Sequence, residues 1–253
     1  MRRFDGKILL LGGTTESYIL AEQLARASVN IITSLAGRTQ NPRLPAGQLR
    51  IGGFGGIEGL TEYLRQEDIK LIIDATHPFA RQITAHAIAA ADKTGIPFLR
   101  LERPLWQRQA DDNWIEVATP EAAALAIPED ARVFLAIGRQ HLAAFSHRHD
   151  AGFIARMIEQ PETAPPFRTL RIILGKPEYA EDEVRFFLKN RIDCLVCRNS
   201  GGKASYGKII AARQLALPVI MINRRLPANA ATATGTEEVM HYIYNYINQK
   251  KIN

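Results

Sequence analysis

Short apolar runs alternate with amphipathic helical stretches along nearly the whole chain, and that rhythm constrains the fold more than any other feature. Strands joined through helices lie parallel, so the rhythm specifies an α/β architecture of βαβ units with mainly parallel sheets. Strands are expected at residues 7–11, 30–34, 48–51, 70–74 and 97–101, with helices at 16–26, 58–66 and 79–93. In the third helix Ile83, Ala87, Ile88 and Ala91 share one face, and Thr94-Gly95-Ile96-Pro97 supplies its stop and the turn onward. The pattern breaks over 102–113, a polar stretch holding Pro104 and Trp106. It resumes with strands at 114–117, 133–137, 153–157, 169–174, 193–197 and 218–222, and helices at 121–126, 180–190, 206–215 and 237–249. The expectation is two Rossmann-like domains, one over 1–108 and one over 109–253, facing each other across a cleft.

The first strand runs directly into Gly12-Gly13-Thr14-Thr15-Glu16-Ser17. Two glycines permit a sharp turn and a close approach of backbone to a phosphate, and the following helix offers free N–H groups at its positive end. Thr14, Thr15 and Ser17 add hydroxyls. The G-x-G-x-x-G spacing is absent, so an ordinary βα turn stays open as the alternative. In dinucleotide-binding folds an acidic residue about 20 residues onward takes the ribose 2′-hydroxyl of NAD. Here the second strand ends in Ser34-Leu35-Ala36-Gly37-Arg38-Thr39, with an arginine and hydroxyls instead. That set suits a 2′-phosphate, which favours NADPH over NADH. The third strand leads into Gly52-Gly53-Phe54-Gly55-Gly56, a stretch read either as close backbone approach to a ligand or as a flexible loop. The fourth ends in Asp74-Ala75-Thr76-His77-Pro78, where Pro78 holds His77 extended. His77 reads either as a proton donor or carboxylate ligand, or as a turn histidine.

Composition excludes several classes. Hydrophobic residues make up 46% and charged residues 23%, an ordinary globular balance. No apolar run approaches the ~18–20 residues that span a bilayer, and the N-terminal apolar stretch is too short for a signal peptide. Two cysteines build no disulfide framework, which points to a cytoplasmic setting. The net charge of +6 is spread without a basic run or helix, so a polyanionic small molecule is favoured over nucleic acid. Arg139 in Ile137-Gly138-Arg139-Gln140 and the turn Arg198-Asn199-Ser200-Gly201-Gly202 each follow a strand of the second domain and suit carboxylates. Lys203 and Lys208 are weaker candidates for the same role, with a solvated lysine as the alternative for either.

Taken in order, GGTTE, SLAGRT, RIGGFGG, DATHPFA, RLERPLW, IGRQ and RNSGG resemble the precorrin-6A reductase family, which includes cobalt-precorrin-6A reductases. The resemblance spans about Ile8 to Arg225. It implies an NADPH-dependent reduction of one ring double bond of precorrin-6A, giving precorrin-6B, in vitamin B12 biosynthesis. It implies a polycarboxylate tetrapyrrole-derived substrate, neighbouring pathway enzymes as partners, and a cofactor on the N-terminal domain. Gly12, Gly13, Thr14, Thr15 and Glu16 would belong to the cofactor turn, and Ser34, Gly37, Arg38 and Thr39 would lie near the adenosine phosphate. Gly53, Phe54, Gly55, Asp74, Thr76 and His77 would lie near the nicotinamide end or the substrate. Arg139 and Arg198 to Gly202 would grip carboxylates, and His77 and Tyr206 are candidate proton donors. The chain departs from the family in Ser17-Tyr18, where Ala-Arg is usual, and in Arg198, where lysine is usual. A cobalt-containing substrate is the alternative within the family, and a non-catalytic dinucleotide-binding sensor is the alternative outside it. A short-chain-type sugar or alcohol reductase is disfavoured, since no Tyr-x-x-x-Lys pair follows a fourth strand.

Two further patterns carry no function. Cys194-Leu195-Val196-Cys197 lies in an expected strand, where positions three apart face opposite ways. His141, His147 and His149 lack the acidic or cysteine partners of a metal site, so no metal is expected.

Overall fold

A computed structural model describes residues 6–37, 43–161, 163, 165–176, 178–224 and 230–252. The chain divides into two compact units, Met1–Arg103 with Leu226–Asn253, and Pro104–Arg225.

The first unit begins β1 (Lys7–Leu11), α1 (Thr15–Arg26), β2 (Ile31–Leu35), β3 (Gln48–Ile51), α2 (Gly56–Gln66), β4 (Ile69–Asp74), α3 (Arg81–Thr94) and β5 (Phe98–Leu101). Alternation along β1 divides its core between two faces. Ile8 and Leu10 pack with Leu20, Ala21 and Leu24 of α1, whereas Leu9 and Leu11 pack with Leu60 and Leu64 of α2 and Ala87, Ala90 and Ala91 of α3. A parallel strand apolar on both sides must be covered on both sides, and here it is.

The second unit carries β6 (Trp114–Val117), α4 (Pro120–Leu125), β7 (Arg132–Ala136), a 3-10 helix (Arg139–Phe145), β8 (Gly152–Met157), β9 (Leu170–Leu174), α5 (Ala180–Asn190), β10 (Cys194–Arg198), α6 (Gly207–Gln214) and β11 (Val219–Ile222). Its sheet runs β6-β11-β10-β7-β8-β9, every pair parallel. Phe134, Leu195 and Cys197 of the sheet pack against Phe187 of α5 and Ile209 and Ala212 of α6.

The chain then returns to the first unit with β12 (Ala231–Ala233) and α7 (Thr236–Ile252). Here the structure differs from the expected second domain over 109–253. Ala231, Thr232 and Ala233 pair parallel with Leu99, Arg100 and Leu101 of β5, and the Glu102 N–H donates to the Ala233 carbonyl at 2.8 Å. Val239, Met240, Ile243 and Ile247 of α7 complete the α1 side of the core. The finished sheet reads β12-β5-β4-β1-β2-β3. That is the doubly wound order 3-2-1-4-5-6 with its sixth strand drawn from the far end of the chain.

Candidate functional site

In such a sheet the chain order reverses between β1 and β4, and ligands bind outside the carboxyl ends of the strands at that switch point. Residues 12–15, 34–37, 51–56 and 74–77 all sit on this edge, at the ends of β1, β2, β3 and β4.

The glycine turn is built for two different neighbours. A Cβ on Gly12 would stand 3.1 Å from both the Ser17 hydroxyl and a Thr33 methyl, so this glycine allows close helix–strand packing. Gly13 has φ +109° and only open space where its Cβ would be. The hydroxyls fall differently from expectation. Thr14 caps α1, accepting from the Ser17 N–H at 3.2 Å, and its own hydroxyl donates to the Ala75 carbonyl at 2.8 Å. The buried Ser17 hydroxyl in turn accepts from the Gly13 and Thr14 N–H groups at 3.0 and 3.1 Å. These two hydroxyls are therefore spent on a capping box. Among the described residues the N–H groups of Thr15 and Glu16 are left as the donors of the first turn, beside the exposed Thr15 side chain. Glu16 pairs with Arg103 at 2.6 Å, which turns its carboxylate to a structural use.

The second glycine stretch is rigidly supported from beneath. Gly52, Gly55 and Gly56 have φ of +117°, +79° and +88°, values that exact a strain from any side chain. Arg50, which sequence reasoning passed over, donates to the Gly52 and Gly53 carbonyls at 2.6 and 2.7 Å. Its guanidinium lies 3.8 Å from the Phe54 ring centroid and 5.1 Å from that of Tyr63. Cβ atoms placed at Gly52, Gly53 or Gly55 would meet nothing within 4 Å, so the backbone borders open space. These observations favour close approach over flexibility. Gly37, at φ +71°, packs against Ile51 and Gly52, joining the second and third strand ends. Ser34 is buried, and its carbonyl accepts the Gly12 N–H at 2.9 Å. Arg38 and Thr39 lie outside the described residues.

Asp74 has other partners than a ligand. Fully buried, it accepts from the Thr76 N–H and hydroxyl at 3.0 and 2.7 Å, from the Thr84 hydroxyl at 2.7 Å, and from Arg100. Arg100 is itself buried and also bonds Glu102. Burial alone would lower the Arg100 pKa, but the two carboxylates outweigh it and hold the guanidinium charged. Asp74 thus anchors the turn that presents His77. His77 accepts the Phe79 N–H on Nδ1 at 3.2 Å, so a neutral ring carries its proton on Nε2.

The carboxyl edge of the second sheet has a different chemistry. Its order reverses between β7 and β10, and the strand ends there carry Gly138-Arg139 and Arg198 to Gly202. Gly138, at φ +80°, takes a backbone conformation that favours glycine, and a Cβ there would be in ordinary contact with an Arg198 Nη at 3.4 Å. Burial pushes Arg198 down to about 10. Arg139 is exposed. Asn199 is buried and taken up entirely by the backbone of Trp106, accepting its N–H at 2.9 Å and donating to its carbonyl at 3.0 Å. The Trp106 indole N–H holds the Gly202 carbonyl at 2.8 Å, and Ser200 is buried beside Arg224, which donates to its carbonyl. Asn199 and Ser200 are thus framework, while Gly201 and Gly202, at φ +64° and +76°, shape the turn. Tyr206 packs on Trp106 and accepts from Arg213 at 2.9 Å, a guanidinium that also pairs with Asp112.

Lys208 departs from the solvated lysine that its sequence suggested. It is 7% exposed, donates to the Ser205 carbonyl, and stands 5.0 Å from the Trp106 ring centroid. Burial lowers its pKa below the ordinary lysine value. Lys203 is exposed. The two thiols are buried on opposite faces, Cys197 in the core beside Met221, and burial raises Cys194 to about 12 and Cys197 to about 11. Among the described residues no group of His, Cys, Asp and Glu could hold a metal, and no helix is long and apolar enough to cross a membrane.

Comparison with known proteins bears on the same residues. Residues 7–244 match the family model of the precorrin-6x reductase CbiJ/CobK. A precorrin-6A reductase of Rhodococcus erythropolis is 46% identical over 231 residues, 90% of this chain and 92% of that protein. A cobalt-precorrin-6A reductase of Priestia megaterium is 28% identical, over 94% of this chain and 98% of its own. The solved structure of a CobK precorrin-6A reductase superposes with a TM-score of 0.90 at 39% identity, covering 95% of this chain and 96% of that one.

Proposed function

The chain belongs to the CbiJ/CobK precorrin-6x reductase family and is a reductase, and from that premise we propose that it reduces metal-free precorrin-6A to precorrin-6B with NADPH, in vitamin B12 biosynthesis. The observation that carries the reading is the open glycine edge at the switch point of a doubly wound sheet, with Gly13, Gly52, Gly53 and Gly55 all facing vacant space. A ligand can reach main-chain atoms there that any side chain would cover. The residues fit a dinucleotide: the free N–H groups of Thr15 and Glu16 suit its pyrophosphate, and the 52–55 backbone admits its flat rings. Arg38 and Thr39 are our proposed ligands for the 2′-phosphate.

Bound there, a nicotinamide cofactor supplies the hydride. What the chain must do is orient two ligands, exclude water and deliver one proton to the carbon next to the reduced one. Asp74 and Thr76 fix the turn bearing His77; as an imidazolium, with a second proton on Nδ1 in place of the Phe79 N–H, it would deliver the Nε2 proton and end as the neutral ring. His77 is therefore our favoured donor over Tyr206, whose hydroxyl is held by Arg213. Arg139 and Arg198 are suited to substrate carboxylates, because charge-assisted pairs are the strong form of hydrogen bond. The higher identity to the precorrin-6A reductase than to the cobalt-precorrin-6A reductase, 46% against 28%, favours precorrin-6A over its cobalt form.

Purified protein incubated with precorrin-6A and NADPH tests the proposal. NADPH should be consumed one for one with a product heavier by two hydrogens. No consumption with precorrin-6A, but turnover of the cobalt form, would transfer the assignment to that substrate. Turnover of neither would refute it.

A further inference from the structure

A cavity of about 630 Å³ lies at the end of the second sheet opposite the proposed substrate edge. It is lined by the first residues of β7, β8 and β9 and by the last turn of α5. Strands of five or six residues put it about 15 Å from the carboxyl edge. Four cations ring it, Arg132, Arg171, Lys189 and Arg191, and among the described residues no acidic one lines it.

Ion pairing separates these four cations from several arginines elsewhere in the chain. Elsewhere Arg100, Arg103, Arg148, Arg156, Arg185 and Arg213 each reach a carboxylate. Among the described residues none of the four makes an ion pair. Arg132 donates to the Asn190 carbonyl at 3.2 Å and Arg171 to the Asn190 side-chain oxygen at 2.6 Å. Asp193 stands beside this set with one oxygen accepting the Arg132 N–H at 2.8 Å, and makes no ion pair with the four cations among the described residues. Capping of the α5 C-terminus uses one guanidinium nitrogen of Arg132, and the partial negative charge of a helix end, about half a unit, leaves the arginine's own charge largely unbalanced. The buried Asn190, itself donating to the Phe186 carbonyl at 2.7 Å, holds both arginines in place ahead of any ligand. Each guanidinium keeps further donors, in a fork that matches oxyanions.

We propose that this depression is a second anion site that binds a small multivalent oxyanion, with phosphate or carboxylate groups, separately from the reductase site. Pyrophosphate and citrate are the two probes. Calorimetric titration of the full chain should give saturable binding, weakened by added salt. Hydrogen exchange should slow at 132, 152–154, 169–171 and 189–191. The double variant Arg171→Gln, Arg191→Asn should lose roughly tenfold or more in affinity. Both replacements suit their places: glutamine can still donate to Asn190, and asparagine tolerates the left-handed φ of 49° at Arg191. Lys189→Gln, on the exposed surface of α5, should lose less. Reductase turnover should stay unchanged in all of them. Tighter binding of pyrophosphate would identify a phosphate ligand, and tighter binding of citrate a carboxylate one. No binding of either probe, protection confined to 12–16 or 198–202, or affinity untouched by the double variant would overturn the proposal.

Discussion

The two sheets are alike in topology and opposite in what they place on their carboxyl edges. The first edge presents main chain: four glycines border open space, and among the described residues Glu16, Arg50, Asp74 and Arg100 spend their charges on holding that backbone still. The second edge presents side-chain charge, with Arg139 exposed and Arg198 and Lys208 kept at positions where burial depresses both their pKa values. A parallel sheet obliges its loops to converge on one edge, but leaves open whether they contribute backbone or charge. Backbone suits a flat, extended cofactor that must be approached closely, and cations suit a substrate rich in carboxylates.

The comparison breaks most severely if the buried charges under the first edge are disturbed. Arg100→Met leaves Asp74 and Glu102 buried without their cation, and should cost about 3–5 kcal/mol. Thermal melting should show it as a fall of about 10 °C or more; an unchanged midpoint would mean that the trio is not what braces the DATHP turn. Next in size is His77→Asn. Loss of a general acid should lower kcat roughly ten- to a hundredfold while NADPH affinity holds, and single-turnover kinetics would reveal a mere loss of binding instead. Arg139→Gln sharpens the contrast from the other side. It should raise KM for the tetrapyrrole about tenfold at unchanged kcat, and a change in NADPH affinity would mean that the second edge also serves the cofactor. The smallest effect belongs to the thiols. With pKa values raised to about 12 and 11 they remain protonated and unreactive to iodoacetamide at neutral pH. Their folded values lie above the unfolded one, so their contribution to stability is complete below the unfolded pKa, about 8.5, and is lost as pH rises through the folded values. Chemical denaturation at stepped alkaline pH, with a Cys194→Ala variant alongside, should show a shallower decline in the variant.

Much of this fold is legible in local pattern, because a both-sides-apolar strand such as Leu9-Leu10-Leu11 can hardly be anything else. The short strand Ala231–Ala233 is not legible. Three small residues carry no apolar run, and their partner Leu99 lies far back in the chain, so the return of α7 to the first unit was hidden as well. At the site, glycines were legible, since their cost in conformational entropy calls for an explanation. Carboxylates and hydroxyls were not: Asp74 reads equally as a cofactor ligand or as the mate of a buried Arg100 26 positions away. Thr14 and Ser17 offered hydroxyls to a ligand at this turn, yet the same spacing satisfies the helix end by itself. Lys208 was misjudged because burial depends on Trp106, a residue distant in sequence.

The central claim is that the first edge holds the cofactor through its backbone. Gly53 tests it most directly, since its φ lies outside the glycine-favouring region and a Cβ there meets nothing of the protein. The measurement is calorimetric titration of NADPH into the unaltered chain and into Gly53→Val, with NADH as the companion ligand. The account predicts preference for NADPH in the unaltered chain and at least a tenfold loss in the variant, whose melting temperature stays within about 3 °C. Equal NADPH affinity in the two proteins would contradict it.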